Sequence, residues 1–106
     1  MEALSVVGEV MNDNPHIKLY VVGNTDTTHV KGKADNWSLS TERANTVVRI
    51  LRDKYHVDPA NLVAAGRGKY NPVADNSTAE GRAKNRRIDL VINANLIKLW
   101  DLYMQQ

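Results

Sequence analysis

There is no cysteine in the 106 residues, so neither a disulfide nor a thiolate metal site can form, and cysteine usage gives no reading of redox compartment. No apolar run approaches the roughly 20 residues that a membrane-spanning helix needs. The opening MEALSVVGEVM carries Glu2 and Glu9 and lacks the basic start of a secretory signal, so any export signal is expected upstream or already removed. A strong excess of one charge is missing too. The formal net charge of +2 comes from interspersed cations and anions, which favours anionic partners only weakly. GRGKYN, residues 66–71, lacks the third glycine and the helix of a dinucleotide loop, and no P-loop occurs. Neither a nucleophile elbow nor a glycosidase pattern of paired carboxylates is present, and the chain reads as a nonenzyme. His16, His29 and His56 are scattered with no i, i+4 pair, which points to structural or surface roles, with no metal and no cofactor expected.

What is there fits one compact domain spanning residues 1–106, with 42% hydrophobic content for a single core. Leu4, Val7, Val10 and Met11 recur at helical spacing, predicting a first helix over 1–14 that ends at Asn14-Pro15. IKLYVV, residues 17–22, is β-branched and aromatic and reads as a mostly buried strand. After a polar loop at 23–38, Leu39, Val47, Val48, Leu51 and Tyr55 form the stripe of the longest helix, with Ser40 as its cap and Glu42 in its first turn. Asp58 and Pro59 start a short turn before a second strand, LVAAG at 62–66. Strand, helix, strand implies parallel pairing. The stretch 67–85 is long and polar, and Ser77 with Glu80 suggests a capping box for a short helix. RIDLVI, 87–92, is a third strand, and NLIKLWDLYM supplies an amphipathic helix at about 94–105, with Leu96, Leu99, Trp100 and Tyr103 on one side. The fold class is an α/β (α+β) sandwich, a small mixed sheet built on a βαβ unit with helices packed on it.

One juxtaposition raises a chemical question. Asp26 sits where a buried strand emerges, a usual place for ligand sites in α/β sheets. Arg43 lies about three residues inside the helix that Ser40 would cap, where the macrodipole disfavours a cation by a few tenths of a kcal/mol up to about 1. If the loop folds back, the two face each other across a cleft. The plain alternative is a mutual salt bridge, which on a surface is weak.

Further blocks give these residues a context: GNTD at 23–26, Asn36, Leu39-Ser40, Arg43-Ala44, GRG at 66–68, NPVADN at 71–76 and EGRAKNRRIDL at 80–90. In this order they resemble the OmpA-like peptidoglycan-binding domain, over roughly residues 15–92. The resemblance implies noncatalytic binding of the peptide stem of peptidoglycan, centred on meso-diaminopimelate, in a periplasmic domain tied to the outer membrane or cell envelope through its parent protein. It implies that Asp26 binds the ligand's ammonium and Arg43 its carboxylate. Asn36 would support the loop, Arg86 would add a second cation, and Thr25 and Leu39 would line the pocket. The free end of diaminopimelate is a zwitterion, and a carboxylate beside a planar guanidinium matches it.

The sequence also departs from the family. Asn24 stands where histidine or tyrosine is common, the loop before Arg43 is about two residues longer than usual, and Trp37 follows the expected asparagine. The family's opening strand is not visible before the first helix, and the C-terminal helix lies beyond the resemblance. Two other readings compete. Arg82, Lys84, Arg86 and Arg87 could contact the phosphates of a nucleic acid or another anionic polymer, although no aromatic base-stacking platform accompanies them in the sequence, and Arg87 could equally pair with a local acid. The C-terminal helix could serve protein association. NWS and NST are formal glycosylation sequons of the kind that arise by chance.

Overall fold

A computed structural model describes residues 2–28 and 35–93. The elements run α1 Glu2–Asp13, β1 Lys18–Gly23, α2 Asn36–Asp53, a single 3-10 turn Pro59–Asn61, β2 Leu62–Gly66, α3 Ala79–Asn85 and β3 Ile88–Asn93. The expected helix at about 94–105 lies outside the described residues.

Burying one face of α1 brings Leu4 and Met11 into the core, and the helix stops just before Asn14-Pro15. Strand β1 alternates, with Leu19, Val21 and Gly23 buried and the intervening side chains half-buried. It lies at the sheet centre, in the order β2-β1-β3. The β1–β2 pair is parallel, as the strand, helix, strand reading predicts, with Leu19 opposite Leu62 and Gly23 opposite Gly66. The β1–β3 pair is antiparallel, with Val21 opposite Leu90. Strand β3 forms an outer edge among the described residues, and Leu90, Val91 and Ile92 are exposed on it.

Helix α2 packs on β1 and β2, closing a core of Leu4, Met11, Leu19, Val21, Ala44, Leu51 and Val57. Its start corrects the expected cap. Asp35, not Ser40, is the cap, in extended backbone with its carboxylate accepting from the Ser38 N–H at 2.7 Å. Ser40 is fully buried instead, donating to the Trp37 carbonyl and accepting from the Gly68 N–H, both at 3.0 Å. At the other end α2 stops at Asp53, so Tyr55 lies past the helix, packed against the core. His56 turns the chain with φ of 57°, and Val57 N–H bonds back to the Leu51 carbonyl at 3.0 Å. Asp58 caps the 3-10 turn as expected, accepting from the Ala60 N–H. The expected Ser77–Glu80 capping box does not form: Thr78 caps α3, accepting from the Gly81 N–H, while Ser77 donates its N–H to Asp75.

Candidate functional site

The sheet brings three segments, distant in sequence, to one rim. Parallel pairing makes β1 and β2 finish on the same side, and antiparallel pairing makes β3 begin there. Backbone bonds continue past the strands: Arg67 N–H donates to Gly23 at 3.0 Å, Asn24 N–H to Arg87 and Thr25 N–H to Gly68, both at 2.9 Å. Asn24, 1% exposed, donates its amide to Asp89 and accepts from Asn71. The residue that departs from the family pattern therefore clamps the rim.

The helix rests on this rim through a glycine pair. A Cβ on Gly23 would run into the Ser40 carbonyl, and one on Gly66 into the side chains of Thr41 and Ser40. Missing Cβ atoms let the first turns of α2 lie directly on the strand ends. Asn36, Leu39 and Arg43 are thereby held over Thr25 and Asp26.

A cleft of about 260 Å³ results, lined by Thr25, Asp26, Thr28, Asn36, Leu39, Arg43 and Arg86. All six residues singled out in the sequence line it. The arrangement nevertheless differs from the expected one in two respects. Arg43 is the eighth residue of α2, not a first-turn residue, because the helix starts four residues before Ser40. The macrodipole has faded there, so the expected penalty on its charge does not apply. Asp26 is ion-paired with Arg86, Nη1 to Oδ2 at 2.5 Å, a pairing the sequence reading did not anticipate, and the plain alternative of a mutual Asp26–Arg43 salt bridge does not form. Among the described residues Arg43 makes no ion pair or hydrogen bond, and its side chain is exposed.

Asp26 is 5% exposed. Burial alone pushes its carboxyl up, but hydrogen bonds from Thr28 N–H at 2.8 Å and from Arg86 outweigh that and leave it below the ordinary aspartate value. It is therefore a fixed anion at neutral pH. Thr25 donates its hydroxyl to the Asp26 carbonyl at 3.0 Å, which further fixes the turn. A second, larger hollow of about 490 Å³ adjoins the cleft, sharing Arg43 and Arg86 and adding Thr46, Val47, Arg87 and Ile88. It holds cations and no acid, so the first cleft carries the mixed-charge chemistry.

Residues that sequence reading passed over complete the site. Thr28 supplies the N–H that holds Asp26, an Asx-type bond that Asp followed two residues later by Thr can signal. Asn85, fully buried, accepts from Val73 and Ala74 N–H and donates to the Ala74 carbonyl and to Asn76, shaping the segment before Arg86. The basic cluster is largely engaged inside the fold. Arg82 donates to the Asn76 carbonyl, Arg86 to Asp26, and Arg87 to Asp89 and the Asn71 carbonyl. Among the described residues no three His, Asp or Glu side chains converge on a point that could hold a metal, and His29 lies outside them. No described helix is long and apolar enough to cross a membrane.

The sequence profile of the OmpA family matches residues 1–86. The outer membrane porin F of Pseudomonas aeruginosa is 41% identical over 88 residues, covering 83% of this chain and 25% of that protein. The peptidoglycan-binding protein ArfA of Mycobacterium bovis is 37% identical over 92 residues, covering 87% and 27%. The chain thus spans about a quarter of the length of these relatives. The crystal structure of the peptidoglycan-associated lipoprotein from Burkholderia pseudomallei superposes with a TM-score of 0.76 at 31% identity, over 85% of this chain and 74% of that one.

Proposed function

The chain belongs to the OmpA family, and on that premise we propose that it binds peptidoglycan without catalysis, gripping the diaminopimelate of the peptide stem between Asp26 and Arg43. One observation carries the reading: a buried anion and two guanidiniums, Arg43 and Arg86, line a single small cleft. A zwitterionic amino-acid tip needs that combination. Its ammonium meets the Asp26 carboxylate, and its carboxylate meets the fork of Arg43, with Arg86 alongside. Asp26 oxygens each accept one internal bond and retain lone pairs for the guest. Arg43, with no described partner, is the cation free to take the guest's acid. Asn36 adds hydrogen-bonding capacity at the helix start, and Thr25 and Leu39 shape the wall. The proposal extends to a role in the periplasm, fastening an outer-membrane or envelope protein to the cell wall, in keeping with relatives named as an outer membrane porin and as a peptidoglycan-binding protein. The nucleic-acid reading has less support, since Arg82, Arg86 and Arg87 are each anchored by at least one hydrogen bond within the fold.

Calorimetric titration of a stem tripeptide ending in meso-diaminopimelate, beside its lysine analogue, tests the proposal. Charged hydrogen bonds of about 1.5 to 3 kcal/mol make Asp26→Ala or Arg43→Ala weaken binding about tenfold or more. Lysine lacks the carboxylate that faces Arg43, so equal affinity for both peptides would overturn the geometry.

A further inference from the structure

Trp37, which follows the cleft residue Asn36 in sequence, and Tyr70 stack on each other, ring centroids 5.2 Å apart and planes inclined by 29°. Both remain open to solvent, Trp37 at 50% and Tyr70 at 61%. Two large rings left together on a surface form an apolar patch that folding alone does not call for.

The backbone builds this platform deliberately. Gly68, with φ of +61°, lies under the Trp37 ring, where a Cβ would come within 3.4 Å of it. The same glycine receives the Thr25 N–H on its carbonyl and gives its own N–H to Ser40. Thr25 and Asn36, the residue before Trp37, both line the charged cleft. Platform and cleft are thus parts of one hydrogen-bonded unit.

We propose that Trp37 and Tyr70 form a saccharide subsite that stacks an N-acetylhexosamine ring of the glycan strand while the cleft holds the peptide stem. This inference rests on the peptide-binding reading for its context and extends it to the sugar portion of the same polymer. A pyranose ring carries a face of C–H groups that packs on the negative face of an aromatic ring. Its hydroxyl and amide groups stay in water at the patch rim. Lys69 Nζ lies 5.7 Å from the Tyr70 ring centroid, within reach of a hydroxyl or amide oxygen at the edge of a stacked sugar.

The test compares a free stem tripeptide, the same tripeptide carried on its N-acetylglucosamine–N-acetylmuramic acid disaccharide, and chitotetraose alone. Binding is read by calorimetry, and by the emission of Trp37 in a Trp100→Phe background, since the chain has two tryptophans. One aromatic contact is worth about fivefold in affinity. The disaccharide-tripeptide is therefore expected to bind about fivefold more tightly than the tripeptide, and chitotetraose to shift Trp37 emission. Trp37→Ala and Tyr70→Ala, both at exposed positions, are each expected to erase the gain and leave tripeptide affinity unchanged. Equal binding of the two peptides by the native chain, or a gain that survives in both variants, overturns the saccharide subsite and leaves the peptide reading intact. Absent tripeptide binding removes the peptide reading instead, and chitotetraose quenching then decides the platform: a shift supports it and none overturns it. Quenching by a single-stranded oligonucleotide but not by chitotetraose also overturns it, in favour of base stacking.

Discussion

Asn85 shows how much one amide can organise. Its four hydrogen bonds hold Val73, Ala74 and Asn76, and no buried side-chain polar atom among the described residues lacks a partner. Asn85→Ala leaves the Val73 and Ala74 N–H groups and the Ala74 carbonyl without their side-chain partner, at about 1–3 kcal/mol for each one left dry. Urea denaturation should show a lower midpoint with an unchanged slope, and binding at Arg86 should weaken because its preceding segment loosens. Asp26, Arg43, Arg86, Asn36, Thr25 and Leu39 were legible because short motifs in fixed order name them, and the fold does gather them in one cleft. Asn85 stood inside one of those motifs without its role being visible. The burial of this amide depends on residues nine to twelve positions away, and local pattern does not encode that. The Trp37–Tyr70 stack was hidden for the same reason, since 33 positions separate its rings in sequence.

Between elements, the decisive contact is the seat of α2 on the ends of β1 and β2. Gly23 and Gly66 are direct partners in the sheet, and both face the turn that carries Ser40 and Thr41. Gly23→Ala sets a methyl against a main-chain carbonyl, which cannot swing aside as a flexible side chain would. Overpacking of this kind costs about 1–3 kcal/mol or more. Thermal unfolding should report the loss, and because α2 must lift, peptide affinity should fall as well although no ligand-facing group has changed. The parallel and mixed sheet, the 3-10 turn and the three described helices were readable from periodicity and breakers. Helix starts were not: Ser40 and Asp35 are both good caps, as are Ser77 and Thr78, and local propensity does not choose between them. Tertiary bonding does, since Ser40 is needed by Gly68 and Asp75 captures the Ser77 N–H.

Over the whole molecule, several aspartates lie below their ordinary pKa. Burial of Asp26 is outweighed by Thr28 and Arg86, Asp35 accepts from Ser38, Asp53 from Arg52 and Asp75 from Ser77. A carboxyl depressed in the folded state stabilises fully above its unfolded value near about 4, and the contribution disappears as pH falls through the lower folded value. Stability is therefore expected to hold steady from neutral pH to about 4 and then to decline. Urea midpoints across that range measure it, and Asp35→Asn, which keeps a capping acceptor, should flatten part of the fall. The antiparallel entry of β3 has a mechanical consequence. This strand begins at the rim where the cleft lies and ends at the opposite one. A pull between a guest in the cleft and Asn93, at the far end of β3, runs along the strands, so the ladder between β1 and β3 is loaded in shear, many bonds at once, rather than being unzipped one bond at a time.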